Sequence, residues 1–487
     1  MASVERAASS SSENAAVPES PGVVLVRRRW AGGVFGRLWW ATGISASGDG
    51  LVAVAVPLMA VTLTSNPLVI AGLTAANRAS AAVAALPGGL VADRWDRRNL
   101  MVACNLVAGI VLMALVGTIA LHAAELVMLY VVAAVLAACD VTYTLAVQAS
   151  LPDVVRSDQL AAANGRLIAV EGAGEQFVGP ACGGLLFSVA RWVPFLADGV
   201  SFFISALFVS TGLPSSRQRE RQAEVPAGPG PRAGDARAPV VGPAGDGPPP
   251  EAVVADGPGS GEAGAEAGRQ ETPAGSARRS AVWTAWVADF RQGLRVFRKD
   301  SALKLLAAIA ASTAFCQSMV FAILVLYGKQ VLHLSSTGYG LFLAFASVIG
   351  VTGAFYAGPL QRRFGAGMLI IGGTALAMLS YIGLAFTSSA VLAVFVFGLQ
   401  EVGVVVVNVG SVTSRQHLIP RNLYGRVGSV HRLAVTCAGV AGALVAGLVA
   451  SASSVPVTML SAGLLMVFVL VAFGPALLRR LPVASAK

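Results

Sequence analysis

Seven ionisable side chains lie inside stretches of the sequence that are otherwise apolar, and they are placed to do chemistry. They are Asp49, Arg78, Asp140, Glu171, Glu175, Asp198 and Glu401. A charge among apolar residues costs free energy, so such residues mark sites for protons, ions or polar substrates. Gln317 and Asn408 add uncharged polar groups to later apolar stretches. Six of the seven are carboxylates, which indicates proton exchange or cation binding as the chemistry.

Asp49 and Arg78 lie in consecutive apolar stretches at similar predicted depths. At 1.5 Å per residue their depths differ by only roughly 5 Å. We therefore expect the two side chains to pair across antiparallel neighbouring helices. Two interpretations stay open: Asp49 takes up and releases protons while Arg78 competes for it, or the pair is a static contact that fixes helix packing.

Glu171 and Glu175 are four residues apart and therefore share one face of a helix. They could bind protons or a cationic substrate, or they could pair with Arg166 for a structural reason. Asp140 gives its own stretch a polar face. Asp198 lies near the outer end of its stretch, where an anchoring role is favoured.

The elements that must position these residues are membrane-spanning helices. Of 487 residues, 55% are hydrophobic and only 12% are charged, against about 25% in soluble domains. A spanning helix needs roughly 20 apolar residues, and twelve such runs are present. The first six are 38–63, 68–92, 100–121, 126–149, 161–187 and 193–213, and the last six are 302–327, 337–361, 367–387, 390–412, 426–450 and 456–478. The predicted fold is an all-α membrane protein with twelve transmembrane helices in two pseudo-symmetric six-helix bundles.

The basic residues predict the orientation of these helices. Of 35 Lys and Arg, 32 fall on one side of the twelve-span arrangement and two, Arg191 and Lys329, on the other, with Arg78 inside a span. Basic residues concentrate on the cytoplasmic side, so we expect both termini to be cytoplasmic in an inner (plasma) membrane. The net charge of +10 is explained by orientation, and no nucleic-acid partner is expected.

The chain divides into five predicted parts. Residues 1–36 form a disordered cytoplasmic N-terminus, 37–213 the first bundle and 301–480 the second bundle. Residues 214–280 are rich in Pro, Gly, Ala and Glu and form a disordered cytoplasmic linker. Residues 281–300 place apolar side chains at spacings of three and four with basic residues between them, which predicts an amphipathic interfacial helix.

Sequence repeats connect the two halves. Gly89 and Arg94 lie 269 positions before Gly358 and Arg363. Leu151-Pro152 and Ile419-Pro420 follow the fourth and tenth runs and suggest a second match. A duplicated six-span unit is how many secondary transporters are built, with the substrate site near the midplane.

The motif after the second run resembles the signature G-x-L-a-D-R-x-G-R-R of the major facilitator superfamily. Gly89, Asp93, Arg94, Arg97 and Arg98 match it, and Asp96 replaces the second Gly. The D-R-x-D-R-R version resembles the branch of enterobactin exporters and macrolide efflux pumps. The resemblance implies a cytoplasmic latch made by these residues and, in the second half, by Gly358, Arg362 and Arg363. Plain anchoring by basic residues is the alternative.

A second motif lies in the fifth run. Gly179-Pro180-Ala181-Cys182-Gly183-Gly184 resembles the core of the superfamily's antiporter motif, with Glu175 where an upstream Gly is expected. This resemblance implies proton-coupled antiport and hence export, and a packing motif alone is the alternative. Pro180 bends the helix and the glycines permit close packing.

The sequence thus predicts a proton-coupled exporter of small amphiphilic molecules, such as a drug, a macrolide or a siderophore. The partners expected are the substrate, protons and membrane lipids, with the chain acting as a monomer. Nucleotide-binding, esterase and metalloprotease motifs are absent, and the five Cys have no metal-ligand spacing, so we expect no enzyme activity, no cofactor and no metal. An importer of an unrelated molecule and a non-transporting membrane sensor are the alternatives.

Overall fold

The protein was analysed as a computed structural model, which describes residues 33–94, 96–123, 125–156, 159–212, 291–420 and 423–480. Side chains are described for these residues except 86–94. The regular elements in these ranges are helices. Residues 1–32 of the predicted N-terminus, the predicted linker and half of the predicted interfacial segment lie outside the described residues, and residues 34–36 belong to the first helix.

The first half contains six spans. The first four are single helices, the fifth is divided by a π-helical turn, and the sixth is again single. The bounds are Val34–Leu63, Pro67–Arg94, Arg97–Ala120, Leu126–Val154, then Leu160–Ala173 with Gly174–Val178 and Gly179–Val189, and finally Val193–Gly212.

The described part of the second half begins with helical residues 291–299 and continues with six further spans. Span seven ends in a second π-helical turn, and one helix of 51 residues covers spans eight and nine. The bounds are Ser301–Leu326 with Tyr327–Val331, then Ser336–Phe386, Ala390–Leu418, Tyr424–Ala452 and Val455–Arg480.

Twelve spans result from this arrangement. In the described chain, ten helices are long and apolar enough to cross a membrane. The 51-residue helix counts as two spans, because roughly 75 Å of helix exceeds the roughly 30 Å hydrocarbon core and Gly365 breaks it with a φ of 80°. The fifth span is the twelfth, because its π-helical turn divides it into two short helices. The predicted fold class is confirmed.

The helix bounds give a different repeat register from the one predicted in the connections after spans four and ten. Leu126 and Ala390, and Val154 and Leu418, start and end spans four and ten at a constant separation of 264 positions. Spans five and eleven start 264 positions apart as well. The predicted match of Leu151-Pro152 with Ile419-Pro420 is therefore wrong: Pro152 lies inside span four, whereas Ile419 caps the end of span ten.

The short helix 291–299 packs on the end of the second bundle. Val296 and Phe297 contact a small core formed by Leu303, Ile419 and Val427. The Arg426 guanidinium donates a hydrogen bond to Gln292. This helix therefore covers the ends of spans seven, ten and eleven on the membrane face where the first described helix begins at Val34 and the last ends at Arg480, which we call the terminal face.

The two halves meet at the other membrane face, which we call the opposite face. A Cβ atom added to Gly184 of span five would lie 3.0 Å from the Cα atom of Gly340 in span eight. Close beside this contact, Thr337 and Ser188 share a hydrogen bond of 3.2 Å between their hydroxyl groups. Spans five and eight are thus in backbone contact at this face.

A second contact between the halves mirrors the first. A Cβ atom added to Gly447 of span eleven would lie 2.7 Å from the Cα atom of Leu68 and 3.0 Å from the Cβ atom of Ala71 in span two. The repeat separations of 264 and 269 positions relate Gly447 to Gly183, the neighbour of Gly184, and Ala71 to Gly340. The opposite face is therefore held closed by a pseudo-symmetric pair of helix contacts.

Candidate functional site

A cavity of about 390 Å³ lies inside the first half. Its described lining comes from spans one to six. It extends from Gln148, Leu151 and Asn164 near the terminal face to Pro57 and Leu73, each six residues from the opposite end of its helix. The cavity therefore reaches the terminal face and stops about 9 Å short of the opposite face.

Three carboxylates mark the middle of this cavity. Asp49 is 15 residues from the start and 14 from the end of span one, and Asp140 is 14 residues from either end of span four. Glu175 is 15 residues from the start and 14 from the end of the fifth span, Leu160 to Val189. All three line the cavity. Three helices thus bring a carboxylate to mid-span depth, where transporters bind substrates and coupling ions.

The fifth span owes its shape to Pro180. Proline has no amide hydrogen and crowds the carbonyl four residues earlier, so an α-helical ladder cannot continue through it. The turn Gly174–Val178 directly before it is π-helical, and it carries Glu175. Such turns occur frequently at functional sites.

Glu171 completes the acidic lining one turn nearer the terminal face. Asp140 and Glu175 are exposed to the cavity, whereas Asp49 and Glu171 are half-buried. None of the four makes a hydrogen bond or an ion pair with another described residue. Asp49 lies near Asp198, Asp140, Glu175 and Glu171. The described lining contains no Lys, Arg or His.

Two hydroxyl groups in the lining also lack partners. Thr42 and Tyr143 are 7% and 8% exposed, and both line the cavity. Neither hydroxyl has a hydrogen-bond partner among the described residues, although Tyr143 lies beside Thr42 and Ser205. A buried hydroxyl is normally hydrogen-bonded, so each of these two groups can turn toward the other or toward a ligand.

Asp198 is closer to this site than its predicted anchoring role implied. It is fully buried, accepts a hydrogen bond of 3.0 Å from Ser201, and has a second oxygen without a partner. Its carboxylate packs against Gly48, next to Asp49 in the chain. Asp198 therefore lies behind span one and is not among the described lining residues of the cavity.

The predicted pair of Asp49 and Arg78 is not formed. Arg78 instead lies against span eleven, where a Cβ atom added to Gly439 would be 3.4 Å from its Cδ and Nη1 atoms. The arginine thus sits on the contact between the halves. The predicted depths are correct, but span two packs on spans four and eleven and barely contacts span one, so the two side chains have different neighbours.

The candidates of the second half lie outside the described lining of the cavity. Glu401 in span ten packs its Cβ against Gly350, and one of its carboxylate oxygens is buried without a partner. Asn408 is exposed, and Gln317 is half-buried in span seven. The cavity is therefore a feature of the first half alone among the described residues.

The predicted latch residues divide into two groups. The side chains of Gly89, Asp93 and Arg94 lie outside the described residues. Arg97 donates to the Ala149 carbonyl (2.6 Å) and pairs with Asp153 (2.7 Å) in span four.

Arg98 donates to the Ser210 carbonyl at the end of span six, and Arg37 donates to the neighbouring Thr211 carbonyl. Carbonyl groups at a helix end have no partner within the helix, so these arginines cap span six. Arg97 and Arg98 therefore join spans of the same half in this conformation.

The matching residues of the second half are exposed at the terminal face. Arg363 stacks 5.4 Å from the centroid of the Phe364 ring, and Arg362 turns back toward Gly358. Gly365, directly after them, takes the positive φ that reverses the chain between spans eight and nine.

The glycines of the antiporter-like motif bring three helices together. A Cβ atom on Gly183 would lie 2.8 Å from the Leu51 carbonyl, and one on Gly50 would lie 2.8 Å from the Cα atom of Gly179. Gly179 and Gly183 thus pack on span one beside Asp49, while Gly184 packs on span eight of the other half.

Several cavity residues were missed at the sequence level because they are uncharged. Thr42, Ser45 and Asp49 follow a spacing of three and four along span one, and all three line the cavity. Asn77 of span two and Asn164 of span five line it as well. The polar spacing around each acid is the signal that identifies this lining. The described residues contain no cluster of His, Cys, Asp and Glu that could hold a metal ion.

Comparison with solved structures shows the same fold. A bacterial homologue of the iron transporter ferroportin, in its inward-facing state, matches with a TM-score of 0.60 and 17% identity, covering 91% of this chain and 98% of that one. The nucleoside transporter NupG matches with a TM-score of 0.66 and 13% identity, covering 92% and 99%. A bacterial homologue of the human lysosomal transporter Spinster, inward-facing and occupied, matches with 0.62 and 14%, covering 92% and 96%.

At these identities the likeness shows the fold alone. No curated protein matches the sequence. The sequence profile described as Major Facilitator Superfamily matches residues 38–442, which is more than half of the chain. The chain therefore belongs to the major facilitator superfamily and is a multi-pass membrane transporter.

Proposed function

We propose that this transporter exports small amphiphilic molecules from the cytoplasm in exchange for protons. The observation that carries the proposal is the convergence of Asp49, Asp140 and Glu175 on one cavity at mid-span depth. These three carboxylates make no hydrogen bond or ion pair with the described residues. No structural role is therefore visible for them among those residues. Transporters place their coupling ions at this depth.

Asp49 is the residue best placed to exchange the proton. It faces Asp140 from span four, Glu171 and Glu175 from span five, and Asp198 from span six. Ionised together, these groups repel one another, and a proton or a cationic ligand relieves that repulsion. A bound proton lowers the repulsion that a cationic ligand would otherwise relieve, and a bound cation does the same for the proton. The proton and the ligand therefore compete, as exchange requires.

The conformation supports the export direction. The cavity reaches the terminal face, and the paired contacts at Gly184 and Gly447 close the opposite face. With the termini in the cytoplasm, as the basic residues predict, the cavity is open to cytoplasmic substrate. Rocking of the two halves about the cavity would then open it to the other side and admit the proton.

The cavity lining combines these carboxylates with apolar side chains such as Val52, Val56 and Leu136. Such a lining suits a molecule with an apolar body and a few polar groups. Drugs, macrolides and siderophores are the candidate substrates by resemblance to the exporter branch. We place the transporter in the plasma membrane, acting as a monomer.

Reconstituted vesicles test the proposal. The full chain is inserted into liposomes, a fluorescent substrate panel is added, and a proton gradient is imposed in either direction. Gradient-driven substrate movement opposite to the proton flow, abolished by a protonophore, is the expected result.

Three other results would reject it. Movement in the same direction as the protons indicates an importer. Substrate movement that is independent of the proton gradient would reject proton coupling. Substrate binding without movement in a folded, reconstituted chain indicates a membrane sensor.

A further inference from the structure

We propose that the cavity selects lipophilic organic cations and rejects anions of the same size. This inference rests on the proposed function, since it takes the cavity to be the substrate site. It narrows the substrate class by charge, and it places anionic siderophores outside the range of this transporter.

The first argument is the sign of the charges in the lining. Asp49, Asp140, Glu171 and Glu175 face the cavity, and no basic residue is among its described lining residues. Arg78, the one basic residue predicted to lie inside a span, is turned away to Gly439. A cavity with one sign of charge and low-dielectric walls concentrates ligands of the other sign.

The second argument is independent of the carboxylates. Thr42 and Tyr143 are more than nine-tenths buried, line the cavity, and have hydroxyl groups without partners among the described residues. A buried polar group without a partner is costly, and a ligand that supplies the missing interaction removes this cost. Their oxygens can turn lone pairs toward a positive charge, and they can accept a hydrogen bond from the N–H group of an ammonium.

The third argument concerns the body of the ligand. Val52, Val56, Leu73, Leu136 and Phe202 form an apolar surface in the same cavity. The volume of about 390 Å³ lies within the usual range of small-molecule sites, roughly 300–1,000 Å³. A compact cation with aromatic or aliphatic groups fits both the charge and the surface.

A pair of ions with nearly the same shape tests the selection. Tetraphenylphosphonium and tetraphenylborate differ in charge sign and little in size. Equilibrium binding of each radiolabelled ion is measured on the purified full chain in detergent, after subtraction of protein-free micelles. We expect the cation to bind at least about tenfold more tightly than the anion.

A double variant assigns the selection to the cavity. Asp140→Asn combined with Glu175→Gln removes the two exposed carboxylates and keeps the side-chain sizes. We expect tetraphenylphosphonium affinity to fall at least about tenfold, with tetraphenylborate affinity unchanged or raised. Glu125→Gln, an exposed acid at the start of span four, is the matched control and should change neither.

Equal affinity for the two ions, tighter binding of the anion, or full cation affinity in the folded double variant would each overturn the inference. If the double variant fails to fold, Glu171→Gln replaces it, with an expected loss of about threefold for the cation. An unchanged cation affinity there overturns the inference as well.

Transport separates this inference from the proposed function. If neutral or anionic compounds are exported with proton coupling and the cavity shows no preference for cations, the proposed cation selectivity is rejected and the proposed export stands. If the cavity binds cations selectively but no gradient-driven flux occurs, the proposed export is rejected and the proposed cation selectivity stands.

Discussion

The two halves of this transporter share a scaffold and differ in charge. Spans four and ten, and spans five and eleven, correspond at a separation of 264 positions. At that separation Asp140 corresponds to Val404 and Glu171 to Val435. These two lining carboxylates of the first half thus correspond to apolar residues in the second.

The second half uses the same region for packing. Phe397 lies 5.4 Å from Phe342 and 5.6 Å from Phe321 between ring centroids, and it is 2% exposed. Its one mid-membrane acid, Glu401, packs against Gly350 of span eight. The contacts between the halves, in contrast, are symmetric. The comparison teaches that the duplicated framework keeps its packing positions while the ionisable site belongs to one copy.

The largest expected effect is on the packed half. Phe397→Ala removes a buried ring from an aromatic cluster and leaves a cavity, so the free energy of unfolding should fall by about 3–5 kcal/mol. Phe395→Ala, in the same span but 57% exposed, is the matched control and should change it by less than about 1 kcal/mol. Denaturant unfolding in detergent measures both. If Asp140→Asn destabilises the fold as much as Phe397→Ala does, the contrast between the halves is lost.

The second-largest expected effect concerns the acidic residues, which differ between the two halves. Asp49→Asn should lower proton-driven flux by about 10²-fold, the scale on which loss of a proton-transfer group acts. Glu401→Gln should lower it by less than about threefold, because Glu401 lies outside the described lining of the cavity. Flux in reconstituted vesicles at equal protein content measures both. If Glu401→Gln lowered the flux more than Asp49→Asn did, the proton-coupling site would lie in the second half.

The symmetric contacts give the third effect. Gly184→Val and Gly447→Val each place a side chain against the backbone of the other half. Overpacking costs about 1–3 kcal/mol and acts only when the opposite face is closed. Both variants should therefore lower flux about tenfold and shift the population toward an open opposite face.

Spin labels on cysteines at Thr64 and Ser453, on a cysteine-free background, measure that opening as a longer distance. Gly372→Val is the control, since a Cβ atom there meets nothing within 4 Å. If only one of the two interface variants shifts the distance, the two contacts are not equivalent.

The sequence predicted the twelve spans because each is a long apolar run, and it identified the mid-span acids because charges are rare there. It did not predict that Arg78 faces Gly439, since hydropathy gives depth but does not show that span two packs on spans four and eleven and barely contacts span one. The repeat register failed because Leu151-Pro152 and Ile419-Pro420 are similar in letters but lie at different points of their helices. The cavity's uncharged lining needed the packing of six helices to become visible.

The smallest effect concerns Arg97, which resemblance assigns to a latch between conformations. Here it joins spans three and four of one half through Ala149 and Asp153, and the paired side chains are 35% and 36% exposed. Ion pairs this exposed contribute at most about 1 kcal/mol, so Arg97→Gln should lower the free energy of unfolding by about that amount. Because the contact stays within one half, flux should remain within about threefold of the unmodified protein. A tenfold loss of flux at unchanged stability would show that Arg97 changes partners during the transport cycle. Arg97 would then belong to the latch between conformations as well as to the contact within the first half.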